Sequence, residues 1–165
     1  MGLFDSLFKV NSLRAKELKL STEEAFLGIA LSSVAADDVI NQVEINSMIH
    51  TLGRMRAFRR FHPNQVVDML NRFQNIIRRE GIGTIVDSAK NSLDHNLKET
   101  AFAVAVDIVL ADGIVDTKEK EFLERLQESL DISDNLAKKI VEVMIIKNRG
   151  AMEEFDPSGS KLLYG

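Results

Sequence analysis

Two stretches of this chain, "EAFLGIALSSVAAD" at 24–37 and "TAFAVAVDIVLAD" at 100–112, are apolar around almost the whole circumference of a helix and rich in small residues. A helix with no polar face cannot lie at a surface, so both belong at the centre of a bundle, surrounded by other helices. The two stretches also resemble each other. At an offset of 75 residues, Glu24 matches Glu99, Ala30 matches Ala105, Val34 matches Val109, and Ala36-Asp37 matches Ala111-Asp112. Further on, Glu44 matches Glu119.

The order of elements repeats with them: buried helix, acidic turn, amphipathic helix, then another helix. The expected fold is all-α, a single-domain bundle of about seven to eight helices in which two helical repeats are related by a pseudo-twofold axis. The repeats run from about 22 to 80 and from 96 to 148. The domain then spans 21–148, with an N-terminal segment at 1–20 and a tail at 149–165.

Strand signals are nearly absent, with no sustained alternation and no hairpin dipeptide between alternating runs. Ser21 and Thr22 before Glu23 and Glu24 open a helix to about Ala36. Others follow at about 41–53, 96–111, 116–129 and 134–148. Pro63 suits the first turn of a helix with Val66, Val67, Leu70, Phe73, Ile76 and Ile77 on its apolar stripe. Gly81 and Gly83 end it, and "TIVDSAKNSL" forms a shorter helix.

The acidic turn "LADGIVDTKEKEFLERL", residues 110–126, has two readings. In the first, Asp116 caps the next helix with Glu119 as its third residue, a capping box, and Gly113 takes the left-handed conformation that ends the previous helix. Asp112 resists this account. It stands at a helix C-terminus, where free carbonyls already make the potential negative, and a carboxylate there is unfavourable by about 0.3–1 kcal/mol. Asp37 does the same in the first repeat, with Asp38 beside it. An Asx-turn would absorb the cost; a bound cation would remove it. Neither loop alone resembles an EF-hand, so a cation site needs both turns, pooling Asp37, Asp38 and Glu44 with Asp112, Asp116 and Glu119.

Other features narrow the function. With no cysteine, thiolate metal sites, disulfides and cysteine nucleophiles are excluded. His50, His62 and His95 lack helical zinc spacing, and no nucleophile elbow, P-loop or dinucleotide fingerprint is present, so no enzyme activity is expected. Net charge is −4, which with the absence of a reader motif argues against nucleic acid. The charge is polarised, however. "LGRMRAFRRFHP" sets Arg54, Arg56, Arg59 and Arg60 among Met55, Phe58 and Phe61: either a solvated helix end or a docking patch for an acidic partner. Asp107, inside an apolar helix, is expected to pair with an arginine of that basic segment. No run reaches the roughly 18 apolar residues of a membrane span. The start "MGLFDSLFKV" is not a secretory signal; Leu3, Phe4, Leu7 and Phe8 make a short apolar face that docks on the domain or touches a membrane surface.

The pattern Ala111, Asp112, Gly113, Ile114, Val115, Asp116, Thr117, Lys118, Glu119, between an Ala/Val-rich helix and an Ile/Val/Met helix, resembles the TerB family of tellurite-resistance proteins. The resemblance covers about residues 20–148. It implies an all-helical pseudo-symmetric bundle, a non-enzymatic stress-response role, and association with TerC-like membrane proteins and TerD-like calcium-binding proteins. By position it implies Asp112, Asp116 and Glu119, with Asp37 and Glu44, as metal ligands. The first repeat departs from the pattern, with Asp38 at the glycine and Asn41 at the cap. The resulting expectation is a cytoplasmic module, peripheral at the inner membrane face in one variant. It would bind a divalent cation (Ca²⁺, Mg²⁺ or Mn²⁺) and protein partners. The alternative is a metal-free interaction scaffold using the arginine face.

Overall fold

The computed structural model describes residues 18–149. Seven α-helices, and no strand, lie within them: α1 (Thr22–Val34), α2 (Gln42–Gly53), α3 (Pro63–Glu80), α4 (Ile82–Ser92), α5 (His95–Val109), α6 (Thr117–Ser129) and α7 (Asp134–Lys147). Residues 1–17 of the N-terminal segment, with its apolar face, and residues 150–165 of the tail lie outside the described residues.

α1 is the axis of the bundle. Ser21 and Glu24 form its capping box, and from Ala25 to Val34 every residue is buried. Ser32 and Ser33 are tolerated there because their hydroxyls donate to Gly28 O and Ile29 O at 2.8 and 2.9 Å. α1 packs on α2, α3, α4 and α5, while α5 packs on α1, α6 and α7. The sequence-matched helices thus find corresponding neighbours, but α4 lies chiefly against α1 and has no counterpart beside α5. For that reason α5, expected to be surrounded, keeps Ala103, Val104, Asp107 and Ile108 only half-buried.

Three local expectations change. Gly81, at φ 85°, ends α3 by itself, and Gly83 is buried inside the first turn of α4. "RAFRR" is a separate 3₁₀ turn, Arg56–Arg60, which turns Phe58 into the core and leaves its arginines outside. Asp107 is held not by an arginine but by Lys147 Nζ at 2.7 Å and Asn148 Nδ2 at 3.0 Å. The partner comes from α7 because α7, and not the basic segment, packs on this side of α5.

Gly28 shows how tightly α1 is enclosed. A Cβ built there would lie 2.7 Å from Ile85 Cγ2 of α4. Ile85 is branched at Cβ and fully buried, so it has little freedom to retreat. Gly28→Ala should therefore destabilise the fold by about 1–3 kcal/mol through overpacking. Alanine's helix preference, about 1 kcal/mol, offsets only part of this. Urea denaturation measures the balance, and a midpoint at or above that of the unchanged protein would mean that α4 yields.

Candidate cation cleft between the acidic turns

Both acidic turns are built by the same local chemistry. After α1, a 3₁₀ turn (Ala35–Asp37) brings Asp37 Oδ1 to the N–H of Val39 at 3.0 Å. After α5, Asp112 Oδ1 accepts from the N–H of Ile114 at 2.9 Å. Each aspartate thus stabilises its own turn with one oxygen, the Asx-turn solution to a carboxylate at a helix C-terminus. Gly113 takes φ 77° in one turn, and Asp38 takes φ 66° in the other. Aspartate is among the few side chains that tolerate this left-handed region.

The helices that follow are capped in parallel but not alike. Asp116 Oδ1 accepts from Glu119 N at 2.8 Å, and Asp116 N–H donates to Glu119 Oε2 at 2.9 Å, a closed capping box. Asn41 Oδ1 accepts from Glu44 N at 2.9 Å, but Glu44 returns no such bond. Its Oε2 is instead buried with no hydrogen-bond partner among the described residues.

The turns meet in space. The first packs against the start of α6, and Lys118 Nζ reaches across to Asp38 Oδ2 at 2.7 Å. That hydrogen bond, with the charges of Asp38, Asp116 and Asp37, raises the ammonium's pKa. Between α2 and the end of α5 lies a cleft of about 220 Å³. Val34, Val43, Ile108, Val109 and Ala111 form its apolar walls, with the hydroxyl residues Ser33 and Ser47 among them. Glu44, Asp112 and Glu119 bring three carboxylates into it. Of the other acids singled out from the sequence, Asp37 and Asp116 act on Glu119 through space, and Asp38 is turned to Lys118. Ser47 and Lys118 were not singled out. Ser47 stands three residues after Glu44, so helical spacing was the available signal.

The pattern met in the sequence is that of a known family. The chain matches the family model described as "Tellurite resistance protein TerB" over residues 23–141. This chain belongs to the TerB family. No curated protein and no solved structure matches it. In this TerB-family domain the matched span opens inside α1 and closes inside α7, so it includes both acidic turns and the cleft.

The basic segment lies apart from the cleft's lining. Arg60 pairs with Glu23 and stacks near the Phe61 ring at 5.5 Å, so it is committed to the fold. Arg54, Arg56 and Arg59 are exposed and make no ion pair among the described residues. Of the histidines, His62 caps α3 by accepting from Asn64 N at 3.3 Å, and His95 lies 3.2 Å from Glu99.

Glu119 gives the cleft a pH signature. Burial, followed by the charges of Asp116, Asp112 and Asp37, pushes its pKa up to about 7 against the opposing hydrogen bond from Asp116 N–H. The folded protein therefore holds this proton more tightly than the unfolded chain does. Its contribution to stability is full below about pH 4.5 and is lost as pH rises toward 7. The carboxyl is half-exposed, so solvent screening reduces the effect to the order of 1 kcal/mol. Glu119→Gln keeps an acceptor for the capping box while removing the charge. Urea titrations at pH 5 and 8 should show that it flattens this slope and stabilises the protein at pH 8. An unchanged slope would assign the pH dependence to another group.

Proposed function

We propose that this TerB-family protein is a non-enzymatic stress-response module that binds a divalent cation weakly in the cleft between its acidic turns and docks protein partners. The observation that carries the reading is Glu44 Oε2, a carboxylate oxygen buried without a hydrogen-bond partner among the described residues. It shares a cleft with two further carboxylates, one of them with its pKa raised to about 7 by burial. A buried carboxylate oxygen without a hydrogen-bond partner is costly, and a cation is one ligand that compensates it.

The geometry also limits the ion. Among the described residues no three acidic or imidazole side chains stand close enough together to share one. Two carboxylates with several retained waters is the manner in which Mg²⁺ is commonly held, whereas Ca²⁺ takes six to eight oxygen ligands. Glu44 and Glu119 would ligate the ion, Asp112 would reach it through water, and Asp37, Asp38 and Asp116 would supply the negative field around it.

By family, TerC-like and TerD-like proteins are the proposed partners, and the cytoplasm, peripheral at the inner membrane face, is the proposed location. Among the described residues no helix is long and apolar enough to cross a membrane. A metal-free scaffold is the second reading, and the exposed Arg54, Arg56 and Arg59, with no ion pair among the described residues, favour it. Charge reversal at Arg56 and Arg59 that abolishes partner capture, with chelator having no effect, would select it.

Calorimetric titration with Mg²⁺, Ca²⁺ and Mn²⁺ tests the ion. A dissociation constant on the order of 10⁻⁴–10⁻³ M is expected for so few protein ligands. Asp112→Asn and Glu44→Gln should each weaken binding, the second by about tenfold or more. Absence of binding heat at millimolar metal would remove this reading.

A further inference from the structure

Six large apolar side chains stand well exposed among the described residues, and three of them surround the acidic turns: Val43 at 78%, Ile114 at 73% and Val39 at 60%. Isolated exposed aliphatics are ordinary, but a group of them at the mouth of a pocket marks an interaction surface. Val39 and Ile114 hold the same place in their turns, each donating its N–H to the aspartate two residues earlier. Val43 stands on the first turn of α2 and lines the cleft itself. Val43 thus lines the anionic cleft while Val39 and Ile114 stand exposed on the two turns beside it, and Lys118, the neighbouring cation, is already engaged by Asp38.

We propose that this cleft is a docking site for a basic segment of a partner protein, which seats one arginine or lysine head group between Glu44 and Glu119 and covers Val39, Val43 and Ile114 with its own apolar residues. Charge complementarity selects the occupant. A guanidinium needs only two acceptors and can bridge carboxylates with parallel hydrogen bonds, so it is suited where three ligands for a dehydrated metal ion do not converge. Its methylene stem would lie along Val34, Val43 and Ile108, as long basic side chains do on apolar surface. At about 220 Å³ the cleft is smaller than the roughly 300–1,000 Å³ of small-molecule sites, which agrees with one inserted side chain. The inference rests on reading the cleft as a cation site, but not on the identity of any ion.

Fluorescence anisotropy of the full-length protein in chelator tests it. The probe is a labelled, amidated heptapeptide with a central arginine flanked by leucines, beside a twin in which neutral citrulline replaces the arginine. The arginine peptide should bind, and the citrulline twin should bind about tenfold or more weakly. Glu44→Gln should produce a similar loss, and Val43→Ser or Ile114→Ser about a fivefold loss each. Both serine variants alter exposed side chains, so they remain informative if Glu44→Gln fails to fold. Equal binding of the two peptides, binding of neither, or indifference to Val43→Ser and Ile114→Ser would each overturn the proposal. Magnesium calorimetry on the same preparations separates the two readings. Ion binding without peptide capture overturns the docking proposal alone, and absence of both overturns the cation cleft as well.

Discussion

The contact between α1 and α5 is the constraint from which the rest of the molecule follows. Each helix ends in an aspartate turn, so their packing against one another carries two acidic loops to one region of the surface. Electrostatics opposes that arrangement, and magnitudes decide the contest. A carboxylate at a helix C-terminus is unfavourable by about 0.3–1 kcal/mol. Full burial of a side chain such as Phe26, Leu27, Ile29 or Leu31 contributes about 1.5–3 kcal/mol. Apolar packing therefore fixes the position of the acids, and the polar chemistry has to adapt to it.

That adaptation is mostly local. Asp37 and Asp112 satisfy their own turns, Asp116 caps α6, and Asp38 takes Lys118. Exposed ion pairs contribute little to stability, so the Lys118–Asp38 bridge is better regarded as trimming charge at the rim than as holding the turns together. What local chemistry leaves unresolved collects at two side chains: Glu44, with a buried oxygen that has no hydrogen-bond partner among the described residues, and Glu119, whose burial resists ionisation. Strong perturbation by burial inside a cleft is the usual physical mark of a functional group.

The helical order was legible because both of its signals are short-range. Full-circumference apolarity identified α1, and cap residues such as Ser21 and Asp116 stood where the starts were expected. The Asp112–Glu119 turn could be read as far as its capping box and its Asx-turn, since both depend on spacing within a few residues. The remainder depended on which helix lies beside which. Placement of α4 chiefly against α1, with no counterpart beside α5, left a half-open side on α5, and that decided Asp107's partner and the exposure of Ile108. The same is true of the cleft. Nothing in the spacing of Glu44 shows that its carboxylate turns inward, because the cue is a missing return bond to Asn41 and not a residue type.

That missing bond brings out the asymmetry between the two turns. The asymmetry caps α2 with the neutral Asn41 where the charged Asp116 caps α6, while the extra charge of Asp38 in the first turn is met by Lys118. It also frees Glu44 from the capping role that occupies Glu119. One half of the cleft is consequently a committed structural carboxylate, and the other an uncommitted one. A calcium cage needs many converging oxygens and a full set of ligand charge. A hydrated ion brings most of its own coordination shell, and an arginine brings a fixed fork that asks for two acceptors. On the proposed reading, the departure of the first turn from the second favours cations that arrive with part of their environment already in place over a tightly caged metal ion.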